Sequence, residues 1–506
     1  MIGNAKPTSK TRSGWLSRMR QGVHQYIGID GGAGASLFAD LAGRDPYLRQ
    51  VSSPRHADLL IIVEPISQKL APAVVTMAKA LVHPSHVLIV GEPQTELAAF
   101  REGTLAHLEV LFPGADRVSS VSAEQVLAAA FDAQRQSDMS IADTYGEAEE
   151  TTIQLPAKRE QEMATELIVL SLGPLQAFTS GPLRLFLICD GEQVFSVQME
   201  TEYAYRGIDS AMTQGSWQQG LKLARQFDPL APLAGQLAYV QALEHLQGWQ
   251  PPTQLQASRE LALALERTQN TLWWLVRFAR LLDDAPLTER SYRCARDLAE
   301  VGSYLWQTSL AEWIIPQYVD MSMIRSMDSS VVARLSKIAS NIDMLRQYVE
   351  HNRGLVLRTR NIGIITQKYL KDKGIVSGPV YAASEHGIGD VQSRLTTRLQ
   401  IMLRDVQQTV ETTTTQVTAN ALPSHIPNWD VPEGEARVMV KGPRGDIGLH
   451  LDSPGGEGSR GPAQVEWQRP SASLLALVPE LLVGQKLADA EVILASLDLT
   501  MAEVDG

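Results

Sequence analysis

The chain has 506 residues, 44% apolar and 20% charged, the balance of a globular protein with room for more than one hydrophobic core. A formal net charge of −12 excludes a general affinity for nucleic acid, whose phosphates require a basic face. No apolar run reaches the roughly 18 residues of a membrane span, since the greasiest stretches, Leu59–Val63 and Leu183–Ile188, are strand-sized. The start of the chain lacks the apolar core and cleavage site of a secretory signal. Its two cysteines, Cys189 and Cys294, suit a reducing compartment, so a cytoplasmic location is expected.

In chain order, residues 1–25 open with basic residues, among which Trp15, Leu16, Met19 and Val23 recur at helical spacing. Such a basic amphipathic segment suits a membrane surface, a partner, or the face of its own domain. A strand over Tyr26–Ile29 runs into Asp30-Gly31-Gly32-Ala33-Gly34-Ala35, with a helix from about Ser36. An apolar run at Ala57–Val63, a helix over Ala71–Leu81, a strand at His86–Val90 and a helix near Glu124–Gln134 follow. Strands alternating with helices predict a parallel α/β domain over 26–136. Residues 137–164 are acidic and without periodicity and read as a linker.

Strands are then expected at Leu167–Leu172 and Leu183–Asp190. Long amphipathic runs at Leu221–Leu246, Ala257–Leu282, Thr288–Val319, Ser329–His351 and Val391–Thr415 predict a helical bundle. The tail returns to strands at Ala436–Val440 and Ile447–Leu451 around the turn Pro443-Arg444-Gly445. A Gly-rich loop at 454–462 and two closing helices complete the chain. The fold class is therefore α/β followed by α+β, in more than one domain.

Several stretches carry a family likeness. Ser53-Pro54-Arg55-His56-Ala57-Asp58, the strand after it, and Lys69-Leu70-Ala71-Pro72 resemble a block of the complex I small subunit that holds the last iron–sulfur cluster. Gly173-Pro174 through Gly181, Tyr203-Ala204-Tyr205-Arg206-Gly207-Ile208-Asp209, and Gly374 to Gly378-Pro379 with Ala383-Ser384 resemble motifs of the large, quinone-facing subunit. So do Lys441-Gly442-Pro443-Arg444-Gly445-Asp446, Arg469-Pro470-Ser471 and Ser496-Leu497-Asp498 through Glu503-Val504-Asp505. Over 25–135 and 165–506 the chain thus resembles a fusion of the small and large subunits of the complex I/NiFe-hydrogenase superfamily. The resemblance implies a flavodoxin-like domain first, then a domain of large-subunit type with a small sheet and a central bundle.

The departures from that family are chemical. Its four-iron cluster needs four thiolates. At the corresponding positions this chain has Gly31, Gly32, Ala33 and Ala35, then Pro93 and Val121. The nickel–iron members bind metal through four cysteines, where Asp228, Ala231, Thr500 and Glu503 stand here. Quinone-binding members use a His and a Tyr; Gln176 and Pro229 occupy those places, and neither supplies a titrating proton. The resemblance therefore implies no iron–sulfur cluster, no nickel–iron centre, and a cavity narrowed on the side of Phe178. A bundle histidine of the family falls at Trp273. Asp228 and Asp283 keep carboxylates, which would act as a proton relay if buried together.

Other chemistry has weaker support. Gly28 to Gly34 follows a strand and opens a helix, where amides hold anions, yet it lacks the Walker and dinucleotide spacings. His83 and His86 flank Pro84-Ser85 without a further ligand, and Ser180 lacks a nucleophile elbow. Three functions remain: a redox-inactive coupling subunit that docks on antiporter-like integral membrane subunits at the inner face of the cell membrane, a genuine quinone oxidoreductase subunit, or an anion- or nucleotide-binding regulator using Gly31–Gly34.

Overall fold

The structure, a computed structural model, describes residues 24–31, 34–44, 48–51, 53–81, 85–91, 105–119, 123–132, 167–175, 178–306, 329–385, 389–416, 429–456 and 460–506. The N-terminal basic segment up to residue 23, the linker 137–164, Gly32, Ala33, His83, Pro93, Val121, Gln176 and the run beyond Trp306 to Val319 lie outside them.

The first layer is a parallel sheet of β1 (His24–Asp30), β2 (Leu48–Gln50), β3 (Leu59–Val63), β4 (His86–Val90) and β5 (Asp116–Val118), ordered β2-β1-β3-β4-β5. That is the flavodoxin-like order the resemblance implied. Every residue of β3 is buried, because helices cover both faces of a parallel sheet. The helices are α1 (Ala35–Arg44), α2 (Ala71–Lys79), the single turn α3 (Leu108–Leu111) and α4 (Ala123–Asp132). One core holds Ile62, Val74 and Ile89, the other Ile61, Leu41 and Val126.

The second unit begins with the antiparallel sheet β6 (Leu167–Leu172), β7 (Arg184–Asp190) and β8 (Gln193–Glu200). Helices α5 (Ile208–Gln214), α6 (Trp217–Ala224) and α7 (Pro232–Leu246) lead into the long α8 (Thr253–Leu281) and α9 (Ala285–Trp306). Then come α10 (Ser329–His351), α11 (Arg353–Thr359), α12 (Gln367–Asp372), α13 (Gly378–Ala383) and the long α14 (Val391–Gln416). A second antiparallel sheet, β9 (Gly434–Lys441), β10 (Asp446–Ser453) and β11 (Gln464–Gln468), packs on α7. Four short helices close the chain: α15 (Pro470–Leu475), α16 (Val478–Leu482), α17 (Leu487–Leu497) and α18 (Met501–Asp505). One continuous core runs through bundle and sheets, from Leu185 through Leu272 and Leu399 to Leu449.

Two departures from the periodicity matter. The run Leu221–Leu246 is not one helix: it breaks at 225–231 between α6 and α7. Pro229 biases Asp228 away from the helical region, and Pro232 then restarts the helix at its first position, where its missing N–H costs nothing. The tail holds four helices rather than two, since Pro470 and Pro479 each restart one.

The two units touch through named contacts. Ser67 Oγ donates to Tyr203 O at 2.6 Å, and Lys69 Nζ donates to Thr201 O at 2.8 Å while pairing with Glu200. Ala39 packs with Val276 and Tyr292, whose hydroxyl meets Asp40 at 3.1 Å, and Trp273 lies edge-on to Tyr292. Trp273 therefore serves the contact between units while also packing against the bundle core.

Candidate functional site

The motif residues scattered between 173 and 506 meet at one buried place. The break at 225–231 leaves Asp228 between two helices, its Oδ1 accepting Leu230 N at 3.1 Å in a local turn. The β9–β10 turn carries Arg444, whose guanidinium donates from NH2 to Asp228 Oδ2, from Nε to Glu503 Oε2 at 3.2 Å and from NH1 to Asn270 Oδ1 at 3.1 Å. Asp498 stands 3.6 Å from Arg444 NH1. All four ionic side chains are 1% exposed. A buried charge is tolerated only when paired and hydrogen-bonded, and here one guanidinium serves three carboxylates. Those carboxylates hold Arg444 charged, above its already high ordinary value.

Further cations complete the centre. Arg398 from α14 donates to Leu497 O at 3.1 Å, lies 3.6 Å from Asp498 Oδ2, and stacks over Trp274. Arg277 from α8 donates to Ser180 Oγ and approaches Asp498 at 3.4 Å. Burial pulls both guanidiniums down, Arg398 to about 10. Ser471 donates from its N and its Oγ to Glu503, each at 2.7 Å.

The surrounding motifs are the frame of this centre. Ser180 N donates to Leu499 O and Met501 N to Ser180 O, so the loop before Gly181 is tied to the C-terminal segment. Arg206 donates to Gln226 O and Ala502 O, bridging the helix break to α18, while Asp209 receives both of its bonds from Arg469 NH2 at 2.7 Å. Gly378, at φ +87°, has no room for a side chain: a Cβ would stand 2.3 Å from Arg444 O. The Gly378-Pro379 block thus seats the turn that presents Arg444.

Of the expected positions Asp228, Ala231, Thr500 and Glu503, the first and last meet through Arg444, and Ala231 and Thr500 are buried as well. Sequence reasoning did not foresee Arg444 here, nor Asp498, Asn270, Arg398 and Arg277; the Pro-Arg-Gly turn was the available signal for the first. The relay pairing of Asp228 with Asp283 is corrected. Asp283 is exposed past the end of α8 at φ +56°, a conformation Asp tolerates. The carboxylates beside Asp228 are Glu503, Asp498 and Glu266 instead. Ser180 is a hydrogen-bonding residue of the frame, and His86 sits on β4 with its N donating to Asp58 O. Among the described residues no cluster of histidine, cysteine or carboxylate groups has the arrangement of a metal site.

The donor set at this centre does not suit a nickel–iron group: no thiolate stands among Asp228, Ala231, Thr500 and Glu503, and a guanidinium already pairs with both carboxylates. The cysteines lie elsewhere, in β7 and α9, with burial pushing the Cys294 thiol up to about 12. In the first unit, Gly31 packs so closely on the backbone that a Cβ would fall 1.9 Å from Pro65 O. Gly31 N donates to Val63 O at 3.2 Å and Gly34 N to Asp30 Oδ1 at 2.6 Å. At the carboxyl ends of β3 and β4, Arg117 binds Glu64 and Gly91 O and reaches Glu109. Beside the centre, Phe178, Ser180, Trp274, Arg277, Phe278 and Leu499 line a cavity of about 10 Å³, the space of one water.

Residues 391–506 match the family described as the respiratory-chain NADH dehydrogenase, 49 Kd subunit. The chain is similar to the D-type subunit of NADH-quinone oxidoreductase from Akkermansia muciniphila, 24% identical over 418 residues, covering 72% of this chain and 98% of that protein. A D-type subunit of the same enzyme from Roseiflexus castenholzii is 26% identical over 435 residues, with 72% and 100% covered. Another, from Chloroflexus aurantiacus, is 27% identical over 408 residues, with 67% and 95% covered. Among solved structures, a chain of the membrane-bound sulfane sulfur reductase, an archaeal respiratory membrane complex, superposes with a TM-score of 0.57 at 20% identity. It covers 67% of this chain and 98% of that one, so the fold is shared.

Proposed function

We propose that the chain is a redox-inactive structural and coupling subunit of a membrane complex related to complex I, joining small-subunit and large-subunit parts in one polypeptide. The observation that carries this reading is Arg444, which engages Asp228 and Glu503 at positions where metal-binding members of the family carry thiolates. Two others support it. The D-type relatives are spanned almost whole by part of this chain, leaving the rest as extra architecture. The N-terminal unit is a flavodoxin-like sheet docked on the second unit through Ser67, Lys69 and Tyr292.

In this reading the surfaces persist for partner subunits, antiporter-like membrane proteins among them, and the chain sits peripherally at the cell membrane. Among the described residues no helix is long and apolar enough to cross a membrane, which agrees with a peripheral place. Anaerobic purification followed by elemental analysis should find neither stoichiometric iron nor nickel; about four irons per chain would overturn the proposal. Pull-down from detergent extract should bring polytopic membrane proteins with it.

The names of the relatives favour a second reading, a genuine quinone oxidoreductase subunit. Against it stand Pro229 in the place of a phenol and a neighbouring cavity with room for one water. Saturable photo-crosslinking of a quinone analogue near Phe178 or Pro229 would move the conclusion to that reading. The regulator reading has less support, because the amides of Gly31 and Gly34 are already spent inside the chain.

A further inference from the structure

Three carboxylates of the buried centre have guanidinium partners, and a fourth does not. Asp228, Glu503 and Asp498 face Arg444, with Arg398 and Arg277 also at Asp498. Glu266, on α8 one turn before Asn270, is 7% exposed and has no ion-pair partner among the described residues. The cation next to it in sequence, Arg267, is turned to Asp405 of α14 at 3.0 Å and to Lys441 O. What faces Glu266 is the start of α7: Leu233 N donates to its Oε1 at 2.8 Å and Ala234 N to its Oε2 at 3.1 Å. From the helix break, Asp228 opposes it as a like charge. Arg444 of the β9–β10 turn and Glu503 of α18 stand beyond, with Arg444 spent on Asp228, Asn270 and Glu503.

The two influences on this carboxyl oppose each other. Two amides at the N-terminus of a fifteen-residue helix favour the anion. Burial without a counter-ion, beside Asp228, favours the acid, because a second uncompensated charge in the dry interior is costly. Of these influences burial is the largest, so the balance tips toward the acid form.

We propose that Glu266 is a proton-binding site of the buried centre, protonated at neutral pH, its hold on the proton strengthened by the like charge of the neighbouring Asp228. On release the O–H bond breaks, the proton leaves to water, and the carboxylate keeps the electron pair, steadied by the two α7 amides. On uptake the reverse occurs, and the contact of Asp228 with Arg444 is untouched. Burial, ahead of every other influence, pushes Glu266 up to about 8, in agreement with the geometry. The site stands on these contacts alone and does not depend on membership of a membrane complex.

Infrared spectroscopy on the full chain tests it. At neutral pH the protein should show the C=O stretch of a buried protonated carboxyl, lost as the pH rises through about 8. Glu266→Gln should abolish that band and Glu503→Gln should keep it. Asp228→Asn, which removes the like charge, should move the midpoint down by about one pH unit, and it decides the matter even if Glu266→Gln fails to fold. No protonated carboxyl band at neutral pH, a band that survives Glu266→Gln or vanishes in Glu503→Gln, or an unmoved midpoint in Asp228→Asn would each overturn the proposal.

Discussion

Removing Arg444 leaves Asp228 and Glu503 buried without a cation. Breaking such a pair from one side costs about 3–5 kcal/mol, whereas replacing all partners with apolar groups is often neutral. Arg444→Leu should therefore lower the unfolding free energy by about that amount in denaturant titrations, and adding Asp228→Asn should recover part of the loss. Asp283 is the contrast: exposed and in left-handed backbone, it should tolerate Asp283→Gly within about 0.5 kcal/mol. Glu266 supplies a pH dependence. Its value in the fold is raised from 4.5 to about 8, so between those limits the folded chain holds a proton that the unfolded chain has lost. Its contribution to stability is full below 4.5 and disappears as the pH rises through about 8. Glu266→Gln should flatten that part of the stability–pH curve; an unchanged slope would show that the proton is held elsewhere.

Among the elements, the interrupted segment between α6 and α7 is the one that builds the site. Hydrophobic periodicity runs through Leu221–Leu246 as if the helix were continuous, since apolar residues keep their spacing across the gap. The break comes from Pro229 and Pro232, and it exposes the first amides of α7, which Glu266 then caps. The short helix α13 shows a second kind of dependence. Gly378 meets the carbonyl of Arg444 in backbone that a side chain resists, so Gly378→Ala combines strain with a clash. Its expected cost is about 1–3 kcal/mol in thermal or chemical unfolding, together with a loosening of the Arg444 turn measurable as faster hydrogen exchange at Asp446, whose N bonds Ser377 Oγ.

At the scale of the whole molecule, the flavodoxin-like unit and the bundle behave as joined parts. Lys69 from the N-terminal unit lies over the Tyr203 ring, pairs with Glu200 and donates to Thr201 O, next to the buried Ser67 bond. Replacing Ser67 and Lys69 together by alanine removes several hydrogen bonds worth about 0.5–1.5 kcal/mol each. Hydrogen exchange should then quicken around 200–205 and 66–71 while the core of α14 stays protected; unchanged exchange at both segments would mean that the apolar contact of Ala39, Val276 and Tyr292 holds the units together unaided. The sequence left this joint unread, because single polar residues such as Ser67 and Tyr292 carry no periodic signal.

The sequence by itself determined many of the elements and their order along the chain. His86–Val90, Leu167–Leu172 and Ser329–His351 have the bounds expected from apolar alternation or helical spacing, because burial of one face or both imposes those periods locally. It also offers Asp228, Ala231, Thr500 and Glu503 as candidates for one centre, on likeness of chain order alone. What only the tertiary structure decided is the company those residues keep. Arg444 lies more than two hundred positions from Asp228, and nothing local to either implies that they meet. Asp283 and Asp228 read alike as carboxylates near a bundle, yet one ends a helix in solvent and the other is sealed in the core. Charge state inside a protein follows from burial and from partners brought across the fold, and those are properties of packing that no local pattern contains.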